Sequence, residues 1–139
     1  MSKIVVIDGD KLKFNPQFGS MTVTPISPQE ISGSGMVSIE GKKVCIFGDE
    51  KKVSIYADYI KPPYTIKGQG TLTITQLASD QLAEFVTANT AVIVVGSQFT
   101  AQFQPTVPAK DPQSKPDTDL SPESGSGTFI NSQSFVTAG

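Results

Sequence analysis

A chain of 139 residues with 37% hydrophobic composition has room for one domain with a real core and not for two. Its 11 basic and 13 acidic residues leave a net charge of −2, so no basic excess exists to neutralise a phosphate backbone, and nucleic acid is excluded as a partner. The absence of histidine removes His-based triads, a His general base and the common His-containing zinc sites.

The apolar residues lean to Val, Ile and Phe, and 12 Gly and 10 Pro cut the chain into short segments, which places it in the all-β class. A single cysteine, Cys45, excludes an intramolecular disulfide framework. The chain has neither a charged start followed by an apolar run nor an 18-residue apolar stretch, so synthesis in the cytosol without a signal peptide is expected.

In chain order, alternation and turn signals predict strands at 3–7, 11–14, 21–24, 36–40, 42–47, 53–56, 64–66, 70–75, 91–95 and 98–104. At most one short helix is expected, at 79–86, where Ser79 or Asp80 caps the start and Leu82, Phe85 and Val86 share a face. From Pro105 onward, prolines and small polar residues replace large apolar ones, too little to offset chain entropy. The domain plan is a β domain at 1–107, a Pro/Ser/Gly-rich linker or strap at 108–127, and a β segment at 128–139. That last segment docks back through Phe129, Ile130, Phe135 and Val136.

One pattern recurs three times: large apolar residues four and two before a glycine and three after it. The matches are Val5, Ile7, Gly9 and Leu12; Val37, Ile39, Gly41 and Val44; and Val92, Val94, Gly96 and Phe99. Each reads as a β-hairpin whose glycine takes a positive φ that a Cβ would oppose. Three similar hairpins in one chain predict a body with approximate internal threefold symmetry, and the nine apolar residues are assigned to its core or to a partner-facing base. Such a body fits a trimeric partner, because a single chain meets three identical surfaces only with three near-equivalent ones. Gly41→Val is expected to cost more than Gly125→Val, since Gly125 falls in the flexible 108–127 segment.

Other residues read more plainly. Cys45 alternates with Val44 and Ile46 and is assigned to packing rather than to reactivity. Asp49 and Glu50 in "GDEKK" could act as acid and base or bind a hard cation, against the simpler reading of a solvated turn, which is preferred. "KGQGT" at 67–71 fails as a phosphate loop because a strand, not a helix, follows it. Tyr56, Tyr59 and Tyr64 are read as core and edge residues rather than as a sugar groove.

The segments "GMVSIEGKKVCIFGD", "PPYTIKGQGTLTITQL" and "AVIVVGSQFTAQFQPTVPA", kept in that order over about residues 30–109, resemble the PAAR and PAAR-like spike-tip proteins of contractile injection systems. These systems include phage tails, type VI secretion and extracellular contractile particles. The resemblance implies a small β-rich cone, one copy of which caps and sharpens a trimeric spike for membrane puncture. It also implies a trimeric spike protein as partner, an effector or cargo as a further one, and the target membrane as a transient one. A particle assembled after cytosolic synthesis and delivered outward follows from the same likeness. The family's proline-alanine-alanine-arginine repeat is missing, the chain has no arginine, and the histidine-based zinc site is not carried over. The expected function is therefore structural, without enzyme activity or cofactor; the alternative is a β-rich carbohydrate or receptor adhesin of a phage or bacterial particle.

Folding without metal follows from the absence of His and the lone Cys. Prolonged chelation is expected to leave the thermal transition unchanged, and elemental analysis showing stoichiometric zinc would overturn this.

Overall fold

The computed structural model describes residues 4–84 and 91–130. Seven strands form one curled antiparallel sheet: β1 (Lys11–Phe14), β2 (Gln17–Phe18), β3 (Met21–Pro25), β6 (Ile55–Lys61), β7 (Tyr64–Gln76), β10 (Phe99–Val107) and β11 (Glu123–Ile130). Their spatial order is β1-β11-β10-β7-β6-β3-β2. The remaining strands, β4 (Ser38–Ile39), β5 (Lys42–Lys43), β8 (Leu82–Glu84) and β9 (Ala91–Ile93), pair as β4-β5 and β8-β9.

Period-two alternation sets the two faces of the large sheet. Met21, Val23, Ile55, Ala57, Tyr59, Leu72, Ile74, Phe99, Ala101, Phe103 and Phe129 point into the concave side and are buried. Between them, Thr22, Thr24, Gln69, Thr75, Thr100, Gln104, Thr106 and Ser124 face water. Burying each large apolar side chain contributes about 1.5–3 kcal/mol, so the aromatic residues dominate this core. Phe99 sits between Phe14 and Phe129, with ring centroids 5.6 and 5.1 Å away, and Phe103 lies 5.2 Å from Tyr59 and 6.4 Å from Phe18.

Such rings need space beneath the strands. Gly125 supplies it in β11, where an added Cβ would lie 2.6 Å from the ring of Phe18. This strand begins at Glu123, not at 128, so Gly125 belongs to the sheet and not to a flexible segment. A glycine-serine text reads as linker because its own side chains bury little; here the neighbours' rings use the room that glycine leaves.

Residues 108–122 run as a strap between β10 and β11 and are tied to the sheet at several points. Ile66 and Lys110 exchange both backbone hydrogen bonds at 2.9 and 3.0 Å, Ala109 N donates to Tyr59 Oη at 3.0 Å, and Asp117 N donates to Ala109 O at 2.8 Å. Lys61 Nζ lies 2.8 Å from the buried Asp117 and 3.8 Å from the exposed Asp119. The bond from Lys61 to Asp117 holds the ammonium pKa above its usual value, despite an opposing cost of burial. Hydrogen bonds from Ser121, then the Lys61 charge, hold Asp119 below the usual carboxylate value.

Three expectations differ from the fold. The helix at 79–86 is instead a 3-10 turn, Ser79–Gln81, followed by β8; the Gln81 side chain and Ala78 N bond at 2.9 Å, and pairing with β9 draws the next residues into a strand. Phe85 and Val86, like Phe135 and Val136, lie outside the described residues. The predicted strands 64–66 and 70–75 are one thirteen-residue strand, β7, because its glycines admit the Tyr59 and Phe103 rings rather than breaking the ladder. β2 and β8, too short to show alternation, went unread.

The ranking of two substitutions is thereby reversed. Gly41 has φ 81° with nothing within 4 Å of an added Cβ, so valine there meets only backbone strain of about 1–2 kcal/mol. Valine at Gly125 must displace a buried ring, and we expect the larger loss in the urea midpoint for Gly125→Val.

The strap's ion pairs carry a pH window. A raised Lys61 value contributes stability present below its unfolded value of 10.5 and lost as pH rises through the higher folded one. A lowered Asp119 value contributes stability present above 3.8 and lost as pH falls through the lower folded one. Amide exchange at Ala109 and Asp117 should therefore stay slow relative to intrinsic rates across neutral pH and quicken only below 3.8 or above 10.5.

Candidate functional site

Three separate stretches, 4–8, 43–47 and 91–95, meet in a closed ring. At its centre Val6 N donates to Ile93 O at 2.9 Å, Ile93 N to Cys45 O at 2.8 Å, and Cys45 N to Val6 O at 2.9 Å. An outer set repeats the cycle in the opposite sense: Asp8 N to Lys43 O at 2.8 Å, Phe47 N to Ala91 O at 3.0 Å, and Val95 N to Ile4 O at 2.9 Å. Each stretch thus pairs antiparallel with one neighbour through its first half and with the other through its second half. The bridges Val5–Val94, Ile7–Val44 and Ile46–Val92 lie between these bonds. The pattern makes Val6, Cys45 and Ile93 equivalent positions about an approximate threefold axis.

Alternation gives this ring two apolar faces. Val6, Cys45 and Ile93 join the aromatic core under the large sheet. Val5, Ile7, Val44, Val92 and Val94 turn the other way and form a second core with Ile39, against which Val37, Ile46 and Ala83 pack. Of the nine apolar residues singled out in the sequence, Val5, Ile7, Val37, Ile39, Val44, Val92 and Val94 lie in or against this second core, while Leu12 and Phe99 belong to the aromatic one. All but the half-buried Val37 are buried within the single chain, so they do not form an exposed base.

Position 7 of the first stretch shows how the turns follow. In the antiparallel pairing, Ile7 faces Val44 at a site without ladder bonds, so its N–H points away and needs another acceptor. Asp10 Oδ2 accepts it at 2.9 Å, across a turn in which Asp10 N donates back to Ile7 O at 3.0 Å. The equivalent Ile46 N donates to Asp49 Oδ2 at 2.9 Å, and Asp49 N to Ile46 O at 2.9 Å. In the third stretch Ser97 stands where the others have aspartate, and Val94 N donates instead to Gln81 O at 2.9 Å. Gly9, Gly48 and Gly96 occupy the same place in the three turns, with φ of 86°, 106° and 53°.

The repeat is therefore Val-x-Ile/Val-x-Gly, centred on Gly9, Gly48 and Gly96, and the sequence-based choice of Gly41 for the second copy is corrected. Gly41 closes the hairpin of β4 and β5, with Glu40 and Gly41 both at positive φ. Gly9 and Gly96 do not close hairpins: β1 pairs with β11 and β10 with β7 and β11, so each of these glycines passes the chain from the ring to the large sheet. Sequence reading missed Gly48 and Asp10, and it weighed Asp49 as an acid, a cation ligand or a solvated turn residue rather than as the acceptor of Ile46 N. The shared Gly-Asp at 9–10 and 48–49 is the signal that marks them.

Asp49 and Glu50 are buried rather than solvated. Asp49 also accepts from Ser34 N at 3.0 Å and Ser34 Oγ at 2.6 Å, and Glu50 Oε1 from Gly48 N at 2.7 Å. These carboxylates hold backbone N–H groups, and among the described residues no three acidic, Cys or His side chains gather into a metal-binding group. Cys45 is fully buried, and desolvation, then the charges of Asp49, Asp10 and Asp8, push its thiol pKa far up.

A family model described as contractile injection system spike tip protein matches residues 1–139. The chain belongs to this family. No curated protein matches it. The family match covers the whole chain, beyond the 30–109 span whose motifs resemble spike tips. A spike tip is a structural component that associates with a spike, and in this one the ring is the element with threefold character.

Two outcomes test the ring. Asp49→Ala removes the acceptor of the partly buried Ile46 N and of both Ser34 donors and is expected to cost on the order of 2 kcal/mol in denaturant unfolding. A thiol reagent at mildly alkaline pH should leave the native chain unmodified and label Cys45 fully once denaturant is added.

Proposed function

We propose that one copy of this spike tip caps a trimeric spike and that its small, hydrogen-bonded body carries the force of contraction onto a small area of target membrane. The observation that supports this reading most is the cyclic hydrogen bonding of 4–8, 43–47 and 91–95. A symmetric trimer ends in three identical surfaces, and one chain can meet them alike only through three near-equivalent segments. The role is mechanical: Asp49, Glu50 and Cys45, the groups that the sequence singles out as acid, base or nucleophile, are buried and committed to the ring and its turns.

The spike contact is assigned to the side of the ring that carries Val37 and the β4-β5 hairpin. Met36, beside that hairpin and next to the half-buried Val37, is 82% exposed and free to meet a partner. Burial of such a side chain against the spike would contribute about 1.5–3 kcal/mol.

Native mass spectrometry of the chain co-purified with its spike is expected to give one tip per three spike subunits. A 3:3 ratio would overturn the reading, because the tip would then itself be a trimer. Met36→Glu should weaken that complex while leaving the free chain's thermal midpoint in place; unchanged affinity would put the spike contact elsewhere.

A further inference from the structure

The convex face of the large sheet carries a groove that the mechanical role does not use. It runs over the register pair Ala57–Gly70, between the edge of β6 and the end of β10, and is lined by Ile26, Ser27, Tyr56, Gln69 and Thr106. Tyr56 is 67% exposed, although it is the largest side chain on this part of the sheet. Its backbone is fixed from both sides: Tyr56 N donates to Ser27 Oγ at 2.9 Å and Ile26 N to Tyr56 O at 2.9 Å. The ring is therefore presented on a rigid strand rather than on a loop.

The chemistry of the lining is consistent throughout. It contains the phenol of Tyr56, an isoleucine, the aliphatic hydroxyls of Ser27 and Thr106 and a carboxamide, and no carboxylate or ammonium. The next groove along the sheet differs, since Asp58 and Lys67 line it. Beyond Thr106 the convex face continues with hydroxyl and amide side chains in register: Gln104 opposite Thr71, Gln102 opposite Thr73 and Ser124.

We propose that the groove beside Tyr56 binds an uncharged saccharide of the target cell envelope. A pyranose has an apolar C–H face that stacks on an aromatic ring and a rim of hydroxyls that both donate and accept. Tyr56 supplies the platform; the Gln69 carboxamide and the Ser27 and Thr106 hydroxyls supply partners of both kinds. A charged glycan would leave its anions without a counter-ion in this lining, and a purely apolar ligand would bury the Gln69 amide and the hydroxyls against nothing that bonds them. A tip that grips envelope sugar would be held against its target at the moment of contraction, but the saccharide site stands or falls without reference to the spike.

The test is a heteronuclear NMR titration of the free chain with cellohexaose, laminarihexaose and chitohexaose, with an anilinonaphthalene sulfonate as an apolar probe. At least one saccharide should shift the amides of Ile26, Tyr56, Gly70 and Thr106 saturably at millimolar concentration. Tyr56→Ala, which removes an exposed ring, should weaken that binding by about tenfold, the equivalent of roughly 1.4 kcal/mol of lost stacking. Gln69→Ala is a second variant that leaves the ring in place and should also weaken it. Saturable shifts by none of the saccharides, shifts confined to other residues, binding unaffected by Tyr56→Ala, or response to the apolar probe alone would each overturn the proposal.

Discussion

The closed cycle of hydrogen bonds through Val6, Cys45 and Ile93 is the constraint from which the rest of this molecule follows. Each of the three residues donates to one neighbouring stretch and accepts from the other, so no stretch can move without breaking bonds to both. An open sheet ends in edges with unpaired groups; a ring of three has none at its centre. Closing it, however, demands that each stretch exchange partners halfway along. The N–H groups left pointing outward by that exchange then need acceptors of their own, which Asp10, Asp49 and Gln81 provide.

Two cores arise from the same geometry. Side chains that alternate along an extended stretch leave the ring on opposite sides, one set toward the aromatic residues of the large sheet, the other toward Ile39 and Val37. The ring is thus the shared floor of both cores, and a substitution at Val6 or Cys45 is felt where Phe99 packs as well as at the turns. The strap adds a separate restraint, since its bonds at Ala109, Lys110 and Asp117 fasten the β10–β11 connection to β6 and β7. For a structural spike tip this arrangement makes sense of the composition. Short strands, positive-φ glycines and buried carboxylates build a body from backbone hydrogen bonds where a longer chain would rely on a larger core.

The carboxylates show how position decides role. Asp49 and Glu50 stand among lysines in the text, a setting that reads as solvated surface, yet both are buried, with their oxygens turned onto the partly buried N–H groups of Ser34, Ile46 and Gly48. Asp119, three residues from the end of the strap, is exposed and answers mainly to Ser121. The same side-chain chemistry is structural in one place and peripheral in the other.

Much of the fold was legible in one dimension. The β-class, the alternation in β3 and β10, the absence of histidine and the recurrence of Val-x-Ile/Val-x-Gly are all local properties that need no knowledge of partners. What pairs with what was not local. The stretches before Gly9 and Gly96 look like halves of hairpins, but the ring's partners lie 37 to 89 residues apart, as in Ile7–Val44, Ile46–Val92 and Val5–Val94. The text offers two overlapping copies of the motif, ending at Gly41 and Gly48. Requiring an apolar residue three places later chose Gly41, since Val44 follows it and Lys51 follows Gly48. That later position has no common role: Leu12 and Phe99 lie in the aromatic core, and Lys51 is exposed. Likewise the glycines of β11 read as slack chain until the rings of Phe18 and Phe99 are seen against them. Sequence determined which residues must be buried and where the chain can turn; only the closing of long-range hydrogen bonds decided which stretches share a ring, because a backbone N–H carries no mark of its distant acceptor.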